Sequence, residues 1–178
     1  QNVSETGPAF LARLAPWGQA GNDQRGEISL GPLAEKLATR HSAGHPVCAM
    51  VHGECIVRAA ADPLEQALSH LVQNAIEASS PDSPVMIEVS QDGNCATIQV
   101  VDSGTGMSRE FIRNGLFKPF VSSKTGGFGI GAFEARELVR AMGGSLDVDS
   151  REGLGTRFVI RLELAEAEMP DVMTREAR

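Results

Sequence analysis

The stretch Cys95-Ala-Thr-Ile-Gln-Val-Val-Asp102-Ser-Gly104-Thr-Gly106-Met107 decides how the rest of the chain is read. Its first half is rich in β-branched residues and predicts a buried strand. The strand ends in an acid, and two glycines one residue apart follow at once. Such a turn carries little side-chain bulk, so backbone can approach a ligand closely while the carboxylate accepts a hydrogen bond from it. Met107 offers a soft, adaptable wall beside it.

Working outward, Val85 to Ser90 alternates apolar and polar residues and predicts a strand paired across Asp92-Gly93-Asn94. Before it, Leu64, Ala67, Leu68, Leu71, Val72, Ala75 and Ile76 recur at helical spacing and predict an amphipathic helix over 62–79. Asp62-Pro63 supplies its start, with Asp62 as the capping acid. Pro46 to Val51 and Glu54 to Arg58 predict strands joined across Gly53, preceded by a short helix from Leu33 to Arg40. Beyond the central turn, Ser108 opens a short helix. A firmer one runs from Ile130 to Met142 and stops at Gly143-Gly144. Leu146–Ser150 and Gly155–Leu164 predict a closing hairpin. Strand–helix–strand–strand order does not repeat the βαβ unit of a doubly wound sheet. The expected fold is a two-layer α/β sandwich, one mixed, mostly antiparallel sheet with helices on one face.

The domain is expected over 27–164. Residues 1–26 read as a linker or the remnant of a preceding dimerisation domain, and 165–178 as a charged tail. The 178 residues carry 16 lysines and arginines against 23 acids, a formal charge of -7, which argues against a nucleic-acid surface. No apolar run is long enough to cross a bilayer. Cys48, Cys55 and Cys95 form no C-x-x-C pair and are expected as buried thiols in a reducing compartment. His41, His45 and His52 lack recurring acidic or thiol neighbours, so no metal is expected there.

Further groups carry chemistry. His70 and Asn74 stand four residues apart, on one helix face, and Asn74 can give a hard cation such as Mg²⁺ an amide oxygen without adding charge beside phosphates. Gly126-Gly127-Phe128-Gly129-Ile130-Gly131 precedes a helix, so its backbone N–H groups can cradle an anion. It is neither a dinucleotide fingerprint nor a P-loop. Leu116-Phe117-Lys118-Pro119-Phe120 puts large apolar groups in an irregular stretch, as a clasp over a ligand would, and Lys124 can then reach a terminal phosphate.

Taken in order, His70-Leu-Val-Gln-Asn74-Ala75, Asp102-Ser-Gly104-Thr-Gly106-Met107, Leu116-Phe-Lys-Pro-Phe120, Gly127-Phe-Gly129-Ile-Gly131 and Gly153-Leu-Gly155-Thr156-Arg-Phe158 resemble the ATP-binding domain of sensor histidine kinases. That domain belongs to the gyrase, Hsp90, histidine kinase and MutL superfamily. The resemblance implies the Bergerat ATP-binding fold, with ATP and Mg²⁺ as cofactors. Asn74 then corresponds to the Mg²⁺-binding asparagine and Asp102 to the aspartate that recognises the adenine amine, with Gly104, Gly106 and Met107 shaping that end. The lid corresponds to about Asn114–Phe128, including Phe117, with Lys124 near the phosphates. Gly127, Gly129, Ile130 and Gly131 bracket them, Thr156 belongs to the last box, and Arg136 stands where related kinases often carry a basic residue.

His70 departs from the pattern. Related histidine kinases often carry asparagine there, and water-activating relatives carry glutamate. An imidazole there can touch the metal, orient water or donate a hydrogen bond. The form Gly127-Phe-Gly129-Ile-Gly131-Ala132, with His70-Leu-Val-Gln-Asn74, is similar to the histidine kinases of the PEP-CTERM system. The implied chemistry is transfer of the ATP γ-phosphoryl group to a histidine, with His70, Asn74 and Lys124 as the catalytic set. The implied partners are the parent's own dimerisation and phosphoacceptor domain, in a homodimer, and downstream a response regulator receiver domain. The domain would be cytoplasmic, on a parent open to inner-membrane attachment elsewhere. Rival readings are an anti-sigma or switch-type protein serine kinase and an ATP-gated interaction module without kinase activity.

Overall fold

The computed structural model describes residues 25–122 and 129–165. In chain order the elements are β1 (Gly26–Ser29), α1 (Leu30–His41), β2 (Val47–Val51), β3 (Ile56–Ala59), α2 (Ala61–Ala78), β4 (Val85–Asp92), β5 (Cys95–Asp102), α3 (Arg109–Asn114), α4 (Gly131–Ala141), β6 (Ser145–Arg151) and β7 (Gly155–Glu163). Five strands form the main sheet in the order β2-β4-β5-β7-β6, and β1 pairs with β3 in a separate ribbon. Only the β2–β4 contact is parallel among the main-sheet pairs. The expected mixed, mostly antiparallel α/β layer is what forms.

Period-two patterning decides which sheet face is covered. Val85, Ile87 and Val89 of β4 are fully buried, as are Ile98 and Val100 of β5 and Ile160 of β7 within a few percent. They meet Leu64, Leu68, Leu71 and Val72 of α2 and Leu138 and Val139 of α4 in one core. Each such side chain contributes roughly 1.5–3 kcal/mol by leaving water. The helical stripe read from the sequence is the buried face of α2.

Several boundaries differ from the expectation, each for a physical reason. α1 begins at Leu30 rather than Leu33. Pro32 falls in the first turn, where a helix has no use for the missing N–H. Asp62 is not the cap of α2: the N-cap is Ala60, and Asp62 lies inside the first turn, where its charge complements the helix dipole instead. β2 and β3, although joined through Gly53, do not pair with each other. Gly53 has φ +85, but the strands it joins are drawn to different partners, β2 to β4 and β3 to β1. The cysteines also differ from expectation: Cys55 is buried, Cys95 half-buried and Cys48 exposed, because Cys48 points from the edge strand β2 to the open sheet face. Leu164 and Ala165 are tied to the ribbon by the bridge Val57–Leu164 and the bond from Ala165 N to Ile56 O.

Candidate nucleotide site

The α2–α4 groove and the ends of β5 and β7 enclose a cavity of about 910 Å³. Asp102 sits at the end of β5, 7 % exposed, opposite Thr156 of β7 in the strand register. Its Oδ1 accepts from Gly104 N at 2.8 Å, which holds the carboxylate at the cavity wall in an Asx-type turn. Thr105 N donates to Ala78 O at 3.1 Å, satisfying a carbonyl left over at the end of α2. On the other side Gly153 N donates to Thr105 O at 2.7 Å, and Met107 N donates to Ser150 Oγ at 2.9 Å. Ser150 is buried and also lies 2.8 Å from Thr156 Oγ1. It had no signal in the sequence beyond its place in a strand.

The glycines of this turn serve the protein's own backbone. A Cβ on Gly104 would stand 2.2 Å from Ala78 O, and one on Gly106 would stand 1.9 Å from Arg151 O. Gly106 also has φ +66, a conformation that costs other residues about 1–2 kcal/mol. The two glycines wedge the turn between α2 and the β6–β7 hairpin, and Gly106 also lines the cavity.

Gly131 behaves differently. A Cβ there would lie 3.5 Å from Asn74 Oδ1 and 3.8 Å from His70 Cβ, ordinary contact distances. Its face is turned to the cavity, into which His70, Asn74, Gly129 and Ile130 also project. The i, i+4 spacing on α2 and the start of α4 therefore bring His70, Asn74 and Gly131 to one corner.

His70 has a partner the sequence did not reveal. Its Nε2 lies 2.8 Å from Glu134 Oε2, in the first turn of α4. The approach is close but not well aligned, and Nε2 is enclosed with no aligned hydrogen bond. The other Glu134 oxygen, Oε1, accepts from Gln66 Nε2 at 2.7 Å. Gln66 and His70, one turn apart on α2, thus flank one carboxylate of α4, which Gln66 holds by a hydrogen bond.

The stretch expected to form the lid, about Asn114–Phe128, is described only as far as Ser122. Ser108 caps α3, accepting from Phe111 N at 3.1 Å, and Leu116 is buried while Phe120 is 53 % exposed. Phe120 has φ +65, strain of about 1–2 kcal/mol in a non-glycine residue. Arg136 is placed away from the cavity wall. Its guanidinium lies over the Phe117 ring at 4.5 Å and its Nη2 donates to Phe117 O at 3.1 Å. Burial, with nearby Arg140, pushes its pKa down. Among the described residues Arg136 and Phe117 therefore form a brace behind the site, and Gly104 packs under it rather than lining it. Lys124 and Gly127 lie outside the described residues.

No helix among the described residues is long and apolar enough to cross a membrane. In sequence, the chain is 34 % identical over 114 residues to the sensor histidine kinase RcsC of Escherichia coli K12, covering 60 % of this chain and 12 % of that protein. It is 32 % identical over 135 residues to the sensor protein DegM of Bacillus sp. strain B21-2, covering 76 % of this chain and 34 % of DegM. The chain thus spans a minor part of these relatives. In structure it matches the nucleotide-free catalytic domain of the histidine kinase ThkA, with TM-score 0.69, 25 % identity, and coverage of 79 % of this chain and 95 % of that one. Residues 59–166, which hold Asn74, Asp102, Gly131 and Thr156, match the histidine kinase-, DNA gyrase B- and HSP90-like ATPase family, and the chain belongs to it.

Proposed function

We propose that this domain binds Mg²⁺-ATP and presents its γ-phosphoryl group to a histidine on the dimerisation domain of a larger sensor kinase. The observation that carries this is the convergence of Asp102, Thr156, Asn74 and Gly131 from four separate elements on one cavity. Family membership and the likeness to the sensor histidine kinase RcsC and the sensor protein DegM support it. In this reading Asp102, held by Gly104 N, accepts from the adenine amine, and Met107 covers the ring. Thr156 and Ser150 keep the two strand ends in register beneath it.

At the other end, Gly129, Ile130 and Gly131 offer backbone donors at a helix N-terminus, which suits phosphate charge. The donor set also fits the metal: Asn74 presents an amide oxygen without a competing charge, and Gly131 leaves space beside it. Mg²⁺, when bound, would neutralise charge that builds on the phosphates. The chain's own share is orientation and preorganised donors, which is most of what phosphoryl transfer asks of a protein. Lys124 joins as a positive charge at the terminal phosphate. The receiving histidine, the homodimer that presents it, a downstream receiver domain and attachment of the parent to the inner membrane follow from the same reading. The finer likeness to PEP-CTERM system kinases rests on the residues around His70 and Gly129.

The test is calorimetric titration of Mg²⁺-ATP into the chain, beside Asp102→Ala and Asn74→Ala. Millimolar or tighter binding that weakens in both folded variants supports the site. Equal binding by Asp102→Ala would refute its adenine role. Phosphate transfer to a supplied dimerisation domain, giving an acid-labile phosphohistidine, then tests the kinase step.

A further inference from the structure

We propose that the free edge of β2 pairs with the same strand of a second copy of this chain, antiparallel about Ala49, joining two main sheets into one. The contact lies outside the nucleotide site: among the described residues, none that lines the cavity belongs to β2.

The main sheet ends in β2 on one side and in β6 on the other. An exposed edge offers unpaired N–H and C=O groups to another strand, and charged side chains are a common protection. β6 has that protection, with Asp147, Asp149 and Arg151 exposed along it. β2 has none. Val47-Cys-Ala-Met-Val51 carries no charge, and Met50 and Val51 are 46 % and 38 % exposed.

The ladder settles which backbone groups face outward. β2 runs parallel to β4. At its two ends Val85 N donates to Pro46 O at 2.9 Å, and His52 N donates to Val89 O at 2.8 Å. Successive residues of a strand turn their backbone groups to opposite sides. The even-numbered residues therefore face β4, and Val47, Ala49 and Val51 face the edge. Ser42 Oγ donates to Val47 O at 3.1 Å. Among the described residues, no hydrogen bond reaches the outward groups of Ala49 or Val51.

A second copy fits because the strand is its own complement. Two-fold pairing about Ala49 sets Val47 against the partner's Val51 and Ala49 against the partner's Ala49. Outward groups then lie opposite outward groups and exchange both bonds. Cys48 falls opposite the partner's Met50 on the open sheet face. A slip of one residue would set outward groups against groups already bonded to β4, so the register is fixed. A self-matching patch about a two-fold axis is what a symmetric dimer requires. Five residues make a short edge, so the contact is weak in the free chain, half-formed at or below about 1 mM. In the homodimeric parent proposed above, tethering supplies an effective concentration of about that order.

The experiment is sedimentation equilibrium of the chain up to about 1 mM, beside Met50→Lys and Ala49→Pro. The lysine puts a charge on the edge. The proline removes an outward N–H and leaves the bonds to β4 in place. The wild type should form dimers, and both variants should associate about tenfold more weakly or less. Met50→Lys, at an exposed position, should keep the wild-type urea midpoint in dilute solution, which separates lost pairing from lost folding. Under mild oxidation Met50→Cys should give a disulfide-linked dimer through the partner's Cys48. The wild type should not, because its two Cys48 residues would stand diagonally, about 7–8 Å apart. A chain that stays monomeric to about 1 mM, or that dimerises equally well in both variants, would overturn the inference. A dimer without the Met50→Cys cross-link would overturn the pairing about Ala49. Concentration-independent protection of the Ala49 and Val51 amides from hydrogen exchange would give the edge to another segment of the same chain, and would also overturn it. No readout uses nucleotide, so the result stands apart from that of the ATP titration.

Discussion

Gly131→Ala should stabilise the fold and weaken nucleotide binding, and the two effects can be worked out separately from the structure. Gly131 is the first residue of α4 and has ordinary helical backbone rather than a positive φ. An added methyl meets Asn74 at 3.5–3.6 Å and His70 Cβ at 3.8 Å, so nothing has to move. Alanine restricts the unfolded chain more than glycine does, worth roughly 0.4–1 kcal/mol where the native conformation is compatible. The methyl nevertheless occupies the corner of the cavity that backbone donors and Asn74 share. A lost or lengthened phosphate contact there costs about 1.5–3 kcal/mol, since the acceptor is charged, or roughly 10- to 150-fold in Kd. Urea unfolding and Mg²⁺-ATP calorimetry on the same preparation give both numbers. Gly106→Ala is the contrast: its methyl would stand 1.9 Å from Arg151 O at φ +66, so it should lose stability by several kcal/mol. A Gly131→Ala protein that binds nucleotide as well as the wild type would refute the claim that this glycine is kept open for a ligand. One that unfolds more easily would refute the reading of the space around it.

Other expectations follow from packing and charge. Leu71→Ala, at a fully buried position between α2 and the sheet, should cost about 2–5 kcal/mol in denaturant unfolding. Arg136→Ala removes the brace on Phe117 while leaving the cavity wall intact. It should therefore raise protease sensitivity near Phe117 more than it alters ATP affinity, and a larger change in affinity would place Arg136 at the phosphates after all. Glu65 has its pKa lowered, first by the hydrogen bond from Lys36, against an opposing push from burial, with Arg40 adding to the lowering. Because the folded value lies below the unfolded one, its stabilisation is present above the usual glutamate range and disappears as pH falls through the folded value. The stability gap between wild type and Glu65→Gln, below about 1 kcal/mol for pairs this exposed, should close on acidification, as urea midpoints across that range would show.

Local patterns were enough to read most elements and the order of the site's segments. The stripe from Leu64 to Ile76, the alternation through β4 and β5, and the glycines after Asp102 and before α4 each declare themselves within a few residues, because helix and strand periodicity and turn sterics are local properties. Asn74 and Asp102, which line the cavity, stand on elements legible for the same reason. Tertiary structure decided what depends on residues distant in sequence. It separated β2 from β3, since strand pairing is chosen by the apolar faces available and not by the connecting turn. It gave Gly104 and Gly106 backbone neighbours at Ala78 and Arg151, which no local rule names. It set Arg136 on Phe117, where the guanidinium meets an aromatic face and donates to a backbone carbonyl. It also brought Glu134 against His70. The sequence shows each as an ordinary polar residue on its own helix; only the packing of α2 on α4 makes them a pair, because burial leaves each polar atom few partners to choose from.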